Sequence, residues 1–577
     1  MNAARSVLFD RVRLGLKQRR GRWLEAAPKA RLWNGLAIGL LSVAALLVVL
    51  TFRAYGVTWD EDVHNWYGNF VLDYYLSGFA DHRAQHFQDL INYGAVFDMT
   101  AAALNRFSPL GVYETRHLLN GLVGVAGLAG AWRLGRALGG PRAGFLAVLL
   151  LVLTPNYYGQ MFNNPKDIPF AACGVWSAYY MVRLLPSLPR PPWRLVMKFG
   201  VAAGLAMAVR VGGLLFLCYF AVLLALSGMW QAAAARSLAV LARAAFDSLV
   251  RVFLPAAVIA YAIMLAFWPW AQLDPLDNPL SALATFSHQA FPFNTLFDGR
   301  WVPASNLPWT YLPVYILIVL PELVLTLLIA APVCAAIALW RGPARREVAL
   351  AWFLVAFTIL FPIAYAVAIK AVLFDGMRHF IFVLPPIAVA GALAGDLALT
   401  RLSRFRWRYP IYGALALYGA AHIGIMVMLH PDQYVYYNAF VGGVDGAQRK
   451  FKLDYWANSY AEDVRGLVKL LRVQYGADFE DREFTVAVCG PSTSARYYFP
   501  SNLRLTYKRE DADFYITFTK DNCDRSFSGV PVYRVERMGA LLSLVLDRRD
   551  ILAARHMAER PLAGAIRRRQ QSAPAIP

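Results

Sequence analysis

What most limits how this chain can fold is the recurrence of long, almost uncharged apolar runs, the first spanning roughly Leu32 to Phe52. A helix crosses a bilayer with about 20 apolar residues, and only helices or closed barrels satisfy all their backbone polar groups there. The composition agrees: 58% of the 577 residues are hydrophobic, only 16% are charged, and mean hydropathy is +0.42. A soluble chain is about a quarter charged. The pattern predicts a polytopic α-helical membrane protein with about 11 transmembrane helices. Arg5 to Arg31 form a basic segment too long for a plain signal peptide, so the first run reads as a retained anchor.

The net charge of +20 does not point to nucleic acid. Much of the excess sits in short loops, including Arg133, Arg136 and Arg142, then Arg190 and Arg194, then Arg401 to Arg408. That is the positive-inside pattern, with membrane lipids as the partners. It makes residues 1–31 cytoplasmic and residues 32–430 the membrane part. Outside loops then fall near 53–116, 156–167, 271–310 and 370–379. Stretches around Tyr67–Leu76 and Phe97–Phe107 read as helices lying along the interface. Arg210 and Gly212-Gly213 divide the run from Leu195 to Trp230 into two spans, and Tyr311 to Trp340 reads as one.

An odd number of spans puts residues 431–560 outside as a small α/β domain. Ser459 and Glu462 have capping-box spacing ahead of a helical face, while 484–488, 514–518 and 541–546 read as strands. Tyr434, Tyr436 and Tyr437 read as an interfacial aromatic belt. Cys489 and Cys523 both lie in the polar C-terminal part, where a disulfide is one option and two free thiols the other; Cys173, Cys218 and Cys334 read as buried hydrophobes, and no metal-binding cysteine spacing occurs. Residues 561–577 read as a disordered tail.

The chemistry centres on Thr58-Trp59-Asp60-Glu61-Asp62-Val63-His64-Asn65-Trp66, just outside the first span. Three carboxylates there are costly unless they meet water, a cation or a polar cavity. The other outside loops supply Lys166, Asp167, Arg210, Arg378 and His379, with His64, His288 and Arg300 as further contributors. Carboxylates beside cations at a membrane surface suit a reaction on a phosphate-bearing lipid. A carboxylate accepts the proton of an incoming hydroxyl, and lysine and arginine hold the phosphate and its growing charge. Each residue also has an ordinary reading: a solvated helix end for Asp60 to Asp62, a local ion pair for Lys166-Asp167, and snorkelling to headgroups for Arg210. No Walker loop, nucleophile elbow or H-E-x-x-H motif suggests another site.

Asp60-Glu61 after the first span, Arg116-His117-Leu118-Leu119-Asn120 at the second, and Asn164-Pro165-Lys166-Asp167 before the fourth carry a resemblance. Over about residues 32–430 the chain resembles the GT-C superfamily of membrane glycosyltransferases. Within it the chain is most similar to the family 39 group of bacterial protein O-mannosyltransferases and aminoarabinose transferases. The resemblance implies an inverting glycosyltransferase in the cytoplasmic (inner) membrane. It would use a polyprenyl-phosphate sugar as donor and a hydroxyl of an extracytoplasmic acceptor (protein, lipid or glycan) as nucleophile. Asp60 would be the base, with Asp62 competing for that role and Glu61 completing the group. Inversion needs one base and no protein nucleophile. No cofactor is required; a divalent cation is a candidate aid, with Asp60 and Asp167 as its ligands. Two other readings stand beside this one: a transporter or flippase of lipid-linked substrates, and a non-catalytic lipid-binding assembly protein. Transport calls for ionisable groups near mid-membrane, whereas here they gather on one side.

Overall fold

The computed structural model describes residues 28–288, 293–341 and 345–555. The basic segment before residue 28, the tail 561–577 and the side chain of His288 lie outside the described residues. Among the described residues, nine helices are long and apolar enough to cross a membrane, beginning with Pro28–Ala54. One of them, Val112–Val152, is two helices joined at Gly140, where φ is +84°. That left-handed turn is one only glycine adopts without cost. Separating its halves and adding the fifteen-residue helix Trp193–Met207 accounts for the eleven expected crossings.

Two stretches depart from the sequence reading. Two thirds of the expected loop 156–167 is a buried helix, Pro155–Asn163, set off from the third crossing by a break at Leu153–Thr154. Proline at its first position is compatible with a helix start. Tyr311–Trp340 is likewise not one helix but Tyr311–Val319 and Glu322–Arg341. Pro321 lacks an N–H and drives the preceding Leu320 into an extended conformation (ψ 139°). The carbonyls thereby freed are satisfied by Asn438, whose Nδ2 donates to Leu317 O (2.7 Å) and Leu320 O (2.9 Å). Irregular backbone at membrane depth persists where protein groups take over its hydrogen bonds in this way.

After the first crossing, helices form at Glu61–Leu76 and Val96–Asn105, close to the expected positions. They cross closely at Gly68, where a Cβ would collide with the backbone of Asp98. A hairpin of β1 (Asn294–Phe297) and β2 (Arg300–Pro303) lies in the second long loop.

The C-terminal region holds a five-stranded sheet of β3 (Phe484–Val488), β4 (Leu503–Leu505), β5 (Phe514–Phe518), β6 (Val530–Arg537) and β7 (Ala540–Asp547). The spatial order is β4-β3-β5-β7-β6, parallel across the first three strands and antiparallel beyond. Helix Tyr460–Tyr475 packs on it through Tyr460, Val464, Leu467 and Leu471. The expected capping box does not form: Ser459 Oγ donates to Asp454 Oδ2 (2.6 Å). Asp454 instead organises the turn before the helix, accepting from the backbone N–H groups of Trp456, Asn458 and Ser459 at 3.0–3.2 Å.

Tyr434, Tyr436 and Tyr437 do not form an interfacial belt. They are buried with the membrane helices in one core that extends to Trp456. Tyr437 OH donates to Lys452 O (2.9 Å) and Tyr434 OH to Asp454. Residues 433–456 are thus a seam between membrane helices and sheet, which fixes the two parts against each other.

Candidate active site

Asp60 owes its position to that seam. The strand of chain leading to it is held from the C-terminal side: Gly56 N–H donates to Asn458 Oδ1 (2.7 Å), Val57 N–H to Tyr498 OH (3.1 Å) and Trp59 N–H to Trp456 O (3.1 Å). A Cβ at Gly56 would strike the Asn458 carbonyl, so the close approach depends on glycine. Asp60 then caps helix Glu61–Leu76 and faces a cavity of about 1000 Å³.

Within the cavity, Asp60 Oδ2 is 3.1 Å from Lys166 Nζ and 3.1 Å from Arg378 Nη1. Burial opposes the negative charge of Asp60, but Lys166 and Arg378 outweigh it and hold the carboxyl well below its usual range. Lys166 and Arg210 both lie over the Tyr93 ring, at 5.2 and 5.9 Å from its centroid. Arg210 pairs with Asp167, and Asp167 also accepts from Asn164 Nδ2 (3.0 Å). Asn164 Oδ1 in turn accepts from the Asp167 N–H (2.9 Å), closing the start of helix Asp167–Leu184. His379 completes this wall, with a buried Nδ1 that has no partner among the described residues.

A second charged group closes the cavity from the other side. Buried Asp375 accepts from Lys452 Nζ (3.1 Å) and Lys520 Nζ (3.3 Å). Burial opposes its charge too, yet Lys520 and Lys452 hold its carboxyl well below the ordinary range. Lys520 also sits over Trp59 (4.6 Å) and comes from a turn beside the Cys489–Cys523 disulfide, which the structure contains. Behind Asp60, His64 lines the cavity one helical turn on, and its Nδ1 lies 2.7 Å from Asp98 Oδ2. Arg116 Nη2 donates to the other Asp98 oxygen (2.5 Å). Burial lowers the pKa of His64 against the pull of Asp98, which favours the neutral ring.

The cavity is polar at one end and apolar at the other. Leu214, Leu215 and Cys218 on one helix line it together with Phe361 and Tyr365 on another and Ile369 just beyond that helix's end. Tyr365 is 46% exposed, so the apolar part of the cavity reaches the protein surface.

Of the residues singled out from sequence, Asp60, His64, Lys166, Asp167, Arg210, Arg378 and His379 meet in this cavity. Glu61, Asp62 and Arg300 do not line it. Glu61 is buried and folds back on its own turn, accepting from Thr58 N–H (2.9 Å) and Thr58 Oγ1 (3.1 Å), with His117 Nε2 at 3.0 Å. Asp62 accepts from Tyr113 OH (2.8 Å) and Thr493 Oγ1 (3.1 Å), tying the second crossing to the C-terminal domain. Arg300 is exposed on β2, where neighbouring Trp301 is the residue that reaches the cavity. Asp375, Lys452 and Lys520 line the cavity without a sequence reading as site residues, and Trp59 has one only as part of the central stretch. Asp375 lies in the expected loop 370–379, and Trp59 adjoins Asp60. Nothing local in sequence marked the two lysines.

The donor set does not fit a divalent cation. Among the described residues no three His, Cys, Asp or Glu side chains converge. Asp60 and Asp167 are each engaged by basic side chains instead.

Residues 115–270 match the family model described as dolichyl-phosphate-mannose-protein mannosyltransferase. This bears out the resemblance to membrane-embedded glycosyltransferases over that part of the chain. No curated protein matches the sequence significantly. Among solved structures the chain is similar to ArnT from Cupriavidus metallidurans bound to undecaprenyl phosphate, with 13% identity, 89% of this chain and 98% of that chain covered, and a TM-score of 0.46. It is also similar to the Archaeoglobus fulgidus oligosaccharyltransferase AglB in complex with an inhibitory peptide and a dolichol-phosphate. There the identity is 12%, the coverage 84% of this chain and 69% of that one, and the TM-score 0.41.

Proposed function

We propose that this integral membrane protein is an inverting glycosyltransferase that moves a sugar from a polyprenyl-phosphate donor to a hydroxyl of an extracytoplasmic acceptor. The family-model match over 115–270 supports the reaction class. The observation that carries the donor class is the cavity's two-ended character. Lys166, Arg210 and Arg378 gather at the polar end, and an apolar groove leads from them toward lipid. A lipid phosphate needs both ends at once. In this reading the cavity side is extracytoplasmic and the arginine-rich loops face the cytoplasm of an inner membrane.

Asp60 is the proposed base, and the geometry suggests how it is switched on. While it is paired with Lys166 and Arg378, its carboxylate is a poor proton acceptor. A donor phosphate competes for Lys166 and Arg378 through charge-assisted hydrogen bonds. As they turn to the phosphate, burial is left as the main influence on Asp60, and its proton affinity rises. The acceptor oxygen then attacks the anomeric carbon from the face opposite the phosphate. Its proton passes to Asp60, the carbon–phosphate-oxygen bond breaks, and the cations stabilise the departing lipid phosphate. Neutral His64 and the Asp98–Arg116 pair hold the helix turn behind the base.

Lipids that co-purify with wild type and with Asp60→Asn, read by mass spectrometry, test this function. A polyprenyl-phosphate sugar retained by the variant and consumed by wild type on addition of membrane acceptors is the expected result. Absence of any polyprenyl species from both folded forms would refute it.

A further inference from the structure

A second cavity, of about 560 Å³, lies between helices on the side of the molecule away from Asp60. Arg116 stands beside the outer site and Arg136 at this cavity, on one straight run of the same helix. Twenty residues at 1.5 Å rise separate the two levels by about 30 Å, a full hydrocarbon thickness. The cavity therefore belongs to the opposite membrane interface and takes no part in the chemistry described above.

Its lining has a marked imbalance of charge. Arg133, Arg136 and Arg183, all exposed, border it together with a single carboxylate, Glu347, which already lies 3.3 Å from Arg346. Among the described residues none of the three arginines forms a salt bridge. Arg183 Nη1 donates to Tyr179 OH (3.0 Å), and Arg133 lies over the Trp132 ring at 4.7 Å. These contacts orient the guanidinium planes and leave most of their five N–H donors unused. Trp352 borders the same space, giving an apolar wall beside the cations.

We infer that this three-helix crevice binds the phosphate headgroup of an anionic membrane phospholipid, with its acyl chains against the adjoining helices. Arginine forks match phosphate oxygens in pairs, and basic crevices between transmembrane helices suit anionic headgroups at this interface. Simple repulsion of the chain toward one side of the membrane would scatter arginines over the loops. It would not require three of them around one cavity with an aromatic wall.

The test uses the full chain in nanodiscs doped with a phosphatidylglycerol carrying a photoactivatable group near its headgroup, followed by peptide mapping. Crosslinks are expected on residues 132–138, 179–186 and 347–352, competed by unlabelled phosphatidylglycerol but not by phosphatidylcholine. Their yield should fall about tenfold or more in R133Q/R136Q/R183Q and stay unchanged in R401Q/R404Q, which alters exposed arginines elsewhere on the same side. If the triple variant does not fold, the single variant R136Q should still reduce the yield severalfold. Equal labelling of wild type and variant, or equal competition by phosphatidylcholine, would overturn the inference. So would loss of labelling in millimolar inorganic phosphate, which would assign the crevice to a soluble anion.

Discussion

Lys166→Gln tests the proposed exchange of partners at Asp60. The substitution removes one of the two cations that lie 3.1 Å from the same carboxylate oxygen. A hydrogen bond between charged groups contributes about 1.5–3 kcal/mol, so donor affinity should weaken roughly 10- to 150-fold. The second consequence concerns pH. In the free enzyme the Asp60 carboxyl is held well below its ordinary value of 3.8, so the acid limb of kcat/KM should lie at very low pH. Once donor phosphate occupies the cations, the carboxyl titrates higher, and the acid limb of kcat should appear at higher pH than that of kcat/KM. Lys166→Gln should move the kcat/KM limb upward toward the kcat limb. Asp60→Asn should abolish turnover by about 10²- to 10⁴-fold while binding donor at least as tightly, because both cations are released to it. The assay is transfer of labelled sugar from a polyprenyl-phosphate donor across pH 4 to 8, where wild-type kcat/KM should stay level while kcat falls toward the acid end, with donor binding measured separately. Coincident acid limbs in kcat and kcat/KM, unmoved by Lys166→Gln, would refute the exchange.

Asp62→Ala should separate the two acidic neighbours. It loses the bridge from Tyr113 to Thr493 and about 1 kcal/mol of stability, yet turnover should stay within about threefold of wild type, read in the same transfer assay. Glu61→Ala should act on stability, because it strands the Thr58 donors and the buried His117 ring. A loss of about 2–3 kcal/mol should be seen as a lower thermal midpoint in detergent. His64 has its pKa lowered in the fold by burial. Its contribution to stability is therefore complete above its ordinary value of 6.5 and is lost as pH falls below that value. Thermal midpoints should drop between pH 7 and 5, and His64→Gln should flatten that drop.

Much of the membrane architecture was legible because bilayer insertion is written locally. Run length, the arginines of the short loops and the break at Arg210-Val211-Gly212-Gly213 each depend on neighbouring residues alone. The same holds for strands β3, β5 and β7, whose residues are almost all apolar, each run broken only by a Thr or Ser before its end. Short β4 and half-exposed β6 carry no such signal. The tyrosines at 434–437 misled because an aromatic belt and a buried seam use the same residues. What separates them is the partner, here Asp454 and the Lys452 carbonyl.

The acidic triplet shows where sequence stops and tertiary structure begins. Sequence alone determined that Asp60, Glu61 and Asp62 follow together on the C-terminal end of the first span, and the alternation of spans put them on the same side as Lys166, Arg210 and Arg378. It could not divide their roles, because successive residues at a helix start point in directions about 100° apart. Most of what the carboxylates meet comes from other segments, from 51 residues away at Tyr113 to 431 at Thr493. Packing sent Asp60 to Lys166 and Arg378, Glu61 back to Thr58 and His117, and Asp62 to Tyr113 and Thr493. Likewise Lys452 and Lys520 reach Asp375 only because the seam docks the sheet over the membrane helices. Local hydrophobicity is sufficient to place a helix in a bilayer, but a charge acquires its function from the partners that long-range packing supplies.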